Sequence, residues 1–131
     1  MSGWTTDELR AIGEAEELRI ASRRPDGSLR KAIIIWVVRH GDEFYVRSAY
    51  GPDNPWFVRA RRSGSGRITA GGVEHDVTFV DPGADAELHE ALDAAYRAKY
   101  GSHPPRVVAT VVGPELVSTT LRLDPGVTRG R

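Results

Sequence analysis

The chain has 131 residues with no cysteine, and its 18 basic residues balance 18 acidic ones. That length makes one ordinary domain with a core of its own. Even charge argues against a general nucleic-acid binder, whose footprint is a basic excess. The lack of thiols rules out disulfides, thiolate catalysis and Cys-based metal sites.

The opening residues Met1 to Glu8 have neither the basic region nor the apolar stretch of a signal peptide. No apolar run approaches the ~18 residues of a membrane span, the longest being Ala32 to Val38. A cytoplasmic protein is expected, without membrane or nucleic-acid partners. Arginine outnumbers lysine sixteen to two, the coding bias of a GC-rich bacterium.

Thr5 with Glu8 three residues later has capping-box form and opens a short helix carrying Leu9 and Ile12. Leu18, Ile20 and Ser22 then alternate as a strand. Pro25-Asp26-Gly27 is a turn. The run from Arg30 to Arg39, rich in Ile and Val, predicts one strand covered on both faces. His40-Gly41-Asp42 turns the chain into a third strand, Phe44 to Ser48, completing an antiparallel meander.

The pattern breaks at Tyr50 to Pro55, after which a short helix is predicted near 55–62, with Asn54 or Asp53 as cap and Pro55 at its first position. Two strands, Arg67 to Ala70 and Val73 to Val80, flank the hairpin dipeptide Gly71-Gly72. The longest helix is predicted near 85–100, with Leu88, Leu92, Ala95 and Tyr96 at helical spacing and Gly101 as its stop. Val107 to Val112 reads equally as strand or short buried helix. Val117 to Leu123 alternates as a last strand. The fold class is therefore mainly β: about six antiparallel strands in a small barrel with helices outside it. A single domain covers 1–125 and a tail covers 126–131.

No nucleophile elbow, phosphate loop or dinucleotide fingerprint occurs. His40, His75, His89 and His103 lack ligand spacing, so surface or packing roles are expected and no metal site. A hydrolase using His75 or His103 has no support beyond their presence. Glu87, Glu90 and Asp93 read as a solvated helix face. The informative cluster is basic and aromatic: Lys31, Trp36, Arg47, Ser48, Trp56 and Arg59. Arg47 and Ser48 end a strand before a Gly/Pro-rich loop, where a guanidinium fork and a hydroxyl suit a phosphate. Trp36 and Trp56 suit a planar ring, although on residue type alone the core is the favoured place for both.

Trp36-Val37-Val38-Arg39, Tyr45-Val46-Arg47-Ser48, Gly71-Gly72-Val73-Glu74 and Ala95-Tyr96-Arg97-Ala98-Lys99-Tyr100-Gly101 resemble an uncharacterised bacterial family, domain of unknown function 2255. Thr120-Leu121-Arg122-Leu123 fits as well, and the likeness runs from Trp4 to about Pro125. The resemblance places the chain in the FMN-binding split-barrel group, beside pyridoxamine-phosphate oxidases and deazaflavin-dependent nitroreductases. It implies a split β-barrel, a homodimer, and a flavin-type site at the dimer interface. Within it, Lys31, Arg47, Ser48 and Arg59 would hold the phosphate of FMN or a deazaflavin, and Trp56 would lie on the ring. Trp36, Tyr96, Lys99 and Tyr100 would border a substrate pocket, although packing on the barrel is the favoured role of Tyr96 and Tyr100. The oxidases' Thr-Asn pair followed by Ser-x-Lys is missing, as is their C-terminal His and Arg motif. The implied function is a small oxidoreductase acting on a small molecule. The alternative is a non-enzymatic ligand-binding or interaction dimer on the same barrel that has lost cofactor binding.

Overall fold

The computed structural model of the chain describes residues 3–126. Helix α1 (Thr6–Glu14) leads into β1 (Leu18–Ser22), β2 (Ile33–Ile35), β3 (Val38–His40) and β4 (Glu43–Arg47). Helix α2 (Pro55–Ser63) precedes the hairpin of β5 (Ser65–Ala70) and β6 (Val73–Val80). Then follow α3 (Ala86–Tyr100), the short α4 (Pro105–Val108), 3-10 turns at Ala109–Val111 and Pro114–Thr119, and β7 (Thr120–Pro125). The capping box is made in full: Thr5 Oγ1 accepts from the Glu8 amide and Glu8 Oε1 accepts from the Thr5 amide.

Seven antiparallel strands, one more than expected, form a half-barrel in the order β2-β1-β5-β6-β7-β4-β3. The hairpin turn needs Gly71 and Gly72 at φ +58° and +83°. A Cβ on Gly71 would collide with the Ala11 carbonyl of α1, so the turn and the first helix sit in direct contact.

Arg30 to Arg39 is not one strand. It is two, β2 and β3, parted by Trp36 and Val37 and lying at opposite edges of the sheet. A sheet rolled toward a barrel leaves a seam between its first and last strands, and the chain crosses that seam here. The continuous apolarity has a local reason: Val37 fills the barrel interior while Val38 packs under α3. No second subunit is needed to cover Val38. Of the run's apolar residues, Ile34 alone is left with its side chain largely in solvent, at 49% exposure.

Two further expectations are corrected or decided. The stretch from Val107 is helical, α4 running into a 3-10 turn, because Pro104 and Pro105 open a helix. Val117 begins no strand. Residues Pro114–Thr119 wind as a 3-10 turn, with the Thr120 hydroxyl donating to the Leu116 carbonyl at 2.6 Å, and β7 starts only at Thr120. Asn54 stands at the cap of α2 without a side-chain capping bond. Of the expected tail, Gly126 donates its amide to the Asp76 carbonyl at 2.7 Å. Residues 127–131 lie outside the described residues.

Two cores result. Phe44 and Val46 of β4 join Trp4, Ile12, Leu18, Phe57, Ile68 and Leu123 inside the barrel. Tyr45 points the other way and packs with Leu92, Tyr96 and Tyr100 of α3. The strand is thus buried on both faces. No helix among the described residues is long and apolar enough to cross a membrane.

Candidate functional site: an apolar groove with a basic end

A groove of about 460 Å³ opens beside the seam, within the ~300–1,000 Å³ usual for small-molecule sites. The edge strand β2 gives Ile33 and Ile35, the crossing gives Trp36, the start of α2 gives Trp56, and the turns after α3 give Val107 and Val111. One face of Trp36 lies parallel to Tyr100, with ring centroids 4.0 Å apart and planes 5° from parallel. Trp56 meets Phe57 edge-on at 5.9 Å. Both tryptophans are half-buried, each anchored on one core with surface left for the groove.

A narrow second cavity shares Ile33 and Trp56 with the groove and adds Lys31, Arg30, Arg59 and Ser22. The backbone thus brings Lys31, Trp36, Arg47, Trp56 and Arg59, five of the expected site residues, to the border of the channel that these two adjoining cavities form. Lys31 and Arg59 are exposed and make no ion pair among the described residues. Arg30 was not singled out from sequence. Its Nε is buried with no hydrogen-bond partner among the described residues. The available signal was its place beside Lys31, three residues before the isoleucine run begins at Ile33.

Arg47 borders the groove but its side chain is already committed, and Ser48 lies outside the groove. The Arg47 side chain has no solvent exposure, and every nitrogen of its guanidinium has a protein acceptor. Nε donates to Thr120 Oγ1 at 3.0 Å, and Nη1 donates to Asp93 Oδ1 at 2.6 Å and to the Val111 carbonyl at 2.9 Å. Nη2 donates to His89 Nδ1 at 3.1 Å. A guanidinium can only donate, so Nδ1 is the bare nitrogen and Nε2–H faces the Gly83 carbonyl at 2.7 Å. Asp93 is therefore no member of a solvated face. Its partners were readable: His89, Asp93, Tyr96 and Tyr100 follow at helical spacing on one side of α3. The Ser48 hydroxyl closes its own turn, donating to the Gly51 carbonyl at 2.6 Å.

Lys99 and Tyr100 hold the seam, Tyr96 packs in the core under α3, and none of the three lines the groove. Tyr100 Oη accepts from the Val37 amide at 3.2 Å and donates to the Glu16 carbonyl at 2.7 Å. Lys99 Nζ donates to the Val37 carbonyl at 2.7 Å. These side chains replace the strand partner that the crossing residue lacks. Tyr96 is fully buried with its ring 5.6 Å from the Arg47 guanidinium carbon. Burial pushes the Lys99 ammonium down to about 8, partly countered by Glu16, and pushes the Tyr96 and Tyr100 phenols above their ordinary range.

A pH profile of stability follows. The unfolded chain keeps the Lys99 proton to ~10.4, whereas the folded chain releases it near 8. Between those values the unfolded state binds more protons, so stability rises with pH. Above ~10 the tyrosines ionise first in the unfolded chain, so stability then falls. Urea midpoints measured from pH 7 to 11 are expected to peak near pH ~10. Lys99→Met should flatten the rising limb and leave the falling one. A rising limb unchanged in Lys99→Met would remove Lys99 as its source.

Among the described residues, no group of three or more His, Asp or Glu side chains is arranged to hold a metal ion. His75 Nδ1 lies 2.6 Å from the Asp76 carbonyl and His103 Nε2 lies 2.8 Å from Glu16 Oε2.

The fold is that of split-barrel proteins. A putative pyridoxamine 5'-phosphate oxidase from Listeria innocua superposes with a TM-score of 0.61 at 14% identity, over 89% of each chain. A structure described as an F420 reductase gives 0.59 at 9% identity, over 94% of this chain and 97% of that one. A putative 5-nitroimidazole antibiotic resistance protein from Bacteroides thetaiotaomicron gives 0.57 at 10%, over 92% of this chain and 80% of that one. At such identities the likeness carries the fold alone. No curated protein matches the chain in sequence. The model of a bacterial family, "Uncharacterized protein conserved in bacteria (DUF2255)", matches residues 8–123.

Proposed function

We propose that this chain, which belongs to that bacterial family, binds FMN or a deazaflavin as a homodimer and acts as an oxidoreductase on a small molecule. The observation that carries this is the continuity of the channel, apolar and aromatic at one end and cationic at the other. A flavin-type cofactor has the same polarity: a planar ring joined to a phosphate. The residues fit such a group, since the groove has room for a ring and the basic end keeps an unpartnered buried Arg30 Nε.

Trp36 and Trp56 would border the ring, and Lys31, Arg59 and Arg30 would take the phosphate through charge-assisted bonds. Arg47 contributes by fixing β4 against α3, and Ser48 by shaping the adjoining turn. When bound, the cofactor would supply hydride transfer, and the chain would supply orientation and a water-poor wall. Ile34 and Tyr50, at 49% and 79% exposure, form the apolar rim on which a second subunit would close the groove.

The test is a titration of the protein with FMN and with a deazaflavin, followed by tryptophan quenching and by the cofactor's visible spectrum. Micromolar quenching is expected with at least one of them. Trp56→Ala should weaken binding tenfold or more, ~1.4 kcal/mol. Its melting temperature should fall less than for a buried tryptophan, whose truncation costs ~3–5 kcal/mol. No quenching by either cofactor would overturn the reading. The second reading, a binding module without redox chemistry, is favoured by one observation: Arg47 and Ser48, which would have made the phosphate site at the end of β4, are satisfied within the chain. A small-molecule ligand that quenches the tryptophans, with neither cofactor bound or with a bound cofactor that no nicotinamide donor reduces, would favour it.

A further inference from the structure

Past Lys31 and Arg59 the channel opens into a basin of about 450 Å³, between the turn after β1, the last turn of α2 and the start of β5. Five arginines line it: Arg23, Arg24, Arg30, Arg59 and Arg62. In a chain of zero net charge this is a local concentration. Among the described residues, two carboxylates face it: Asp26, whose carboxyl is held low by Ser28 and by the charge of Arg24 without an ion pair, and Asp76. Asp76 Oδ1 lies 3.3 Å from Arg23 Nη2 and is shared with Arg67 at 2.8 Å. Arg30, Arg59 and Arg62 have no ion-pair partner among the described residues.

Two details argue against a mere arginine coat. Arg24 Nη1 donates to Ser28 Oγ and to the Leu29 carbonyl, and Arg23 Nη1 donates to the Gly27 carbonyl, so both guanidiniums are held at the rim by the turn. Arg30 has its Nε buried and unpartnered beneath them. A cation in the last turn of α2 complements the helix dipole, which accounts for Arg62 alone. The rest are like charges around one cavity, an arrangement that becomes favourable only when counter-charge enters.

We propose that this basin is an anion site, separate from the apolar groove, for a group bearing two or more negative charges, such as a diphosphate or neighbouring carboxylates. A monoanion would leave most of the guanidiniums uncompensated. The group arrives either on the far end of the ligand in the groove or on a separate molecule. The site stands whether or not a ring occupies the groove.

The probe is inorganic pyrophosphate, added to the full chain and followed by calorimetry and melting temperature against sodium chloride of equal ionic strength. Pyrophosphate is expected to bind and to raise the melting temperature where chloride does not. The double variant Arg24→Gln/Arg62→Gln should weaken binding tenfold or more with an unchanged circular dichroism spectrum. Arg106→Gln, exposed on α4 and outside the basin, should bind as the parent does. With FMN at saturation, displacement of pyrophosphate assigns the anion to the groove ligand, and simultaneous binding assigns it to a separate molecule. Pyrophosphate no better than chloride, or a double variant equal to the parent, overturns the proposal. If FMN leaves tryptophan fluorescence unchanged while pyrophosphate binds, the flavin reading fails and the anion site stays.

Discussion

Replacing Arg47 by alanine is expected to lower stability by about 3–5 kcal/mol, the cost of breaking a buried pair from one side. The guanidinium joins β4, α3, β7 and the turn after α4 through Thr120, Asp93, His89 and Val111. Its removal leaves the Asp93 carboxylate and the Val111 carbonyl without their strongest donor, and empties space beside Tyr96. For a domain of this length the melting temperature should fall on the order of 10–20 °C. Arg47→Lys should recover only part, because an ammonium cannot reproduce the planar fork. The same truncation at Arg59, exposed and unpaired, should cost ~0.5 kcal/mol or less while weakening phosphate binding. A melting temperature within a few degrees of the parent for Arg47→Ala would show that the network does not hold the layers together.

Tyr100→Phe is expected to cost about 1–3 kcal/mol, although it removes a single oxygen. That hydroxyl is the acceptor for the Val37 amide and the donor to the Glu16 carbonyl, both away from any strand ladder. The ring stays, so its stack on Trp36 and the groove wall are kept. Stability should therefore fall while FMN affinity holds within about twofold, ~0.4 kcal/mol. Tyr100→Leu should lose both, because Trp36 would then have no parallel ring to rest on. If Tyr100→Phe melted as the parent does, Lys99 alone would suffice to hold the crossing.

Comparison of these residues shows what sequence patterning can and cannot reach. The capping box at Thr5, the Gly71-Gly72 hairpin and α3 are local devices, and local spacing revealed them. The division of Arg30 to Arg39 was not local. Isoleucine and valine have the same preference on either side of a seam, and only the closure of the sheet decides where the strand must stop. Arg47 shows the same limit for the site. An arginine before a Gly/Pro loop suits a phosphate and suits a buried carboxylate equally. The choice was made by His89 and Asp93, one turn apart on a helix more than forty residues away. Lys31, Trp36, Trp56 and Arg59 were selected by side-chain chemistry, and the fold sets all four beside the two adjoining cavities.

The seam crossing also orders the assembly of the molecule. The β1–β2, β3–β4 and β5–β6 pairings each join neighbouring stretches of chain, so their loops close early. Pairing β4 with β7 brings Tyr45 opposite Arg122, across most of the sequence, and must await a far larger loop closure. Until then β1–β2 and β3–β4 are two hairpins tethered only through Trp36 and Val37, free to swing past one another. Docking α3 on β3 and β4 ends that swing by capturing the backbone of Val37. The same step sets Trp36 against Tyr100, so the groove acquires that wall only as α3 seats.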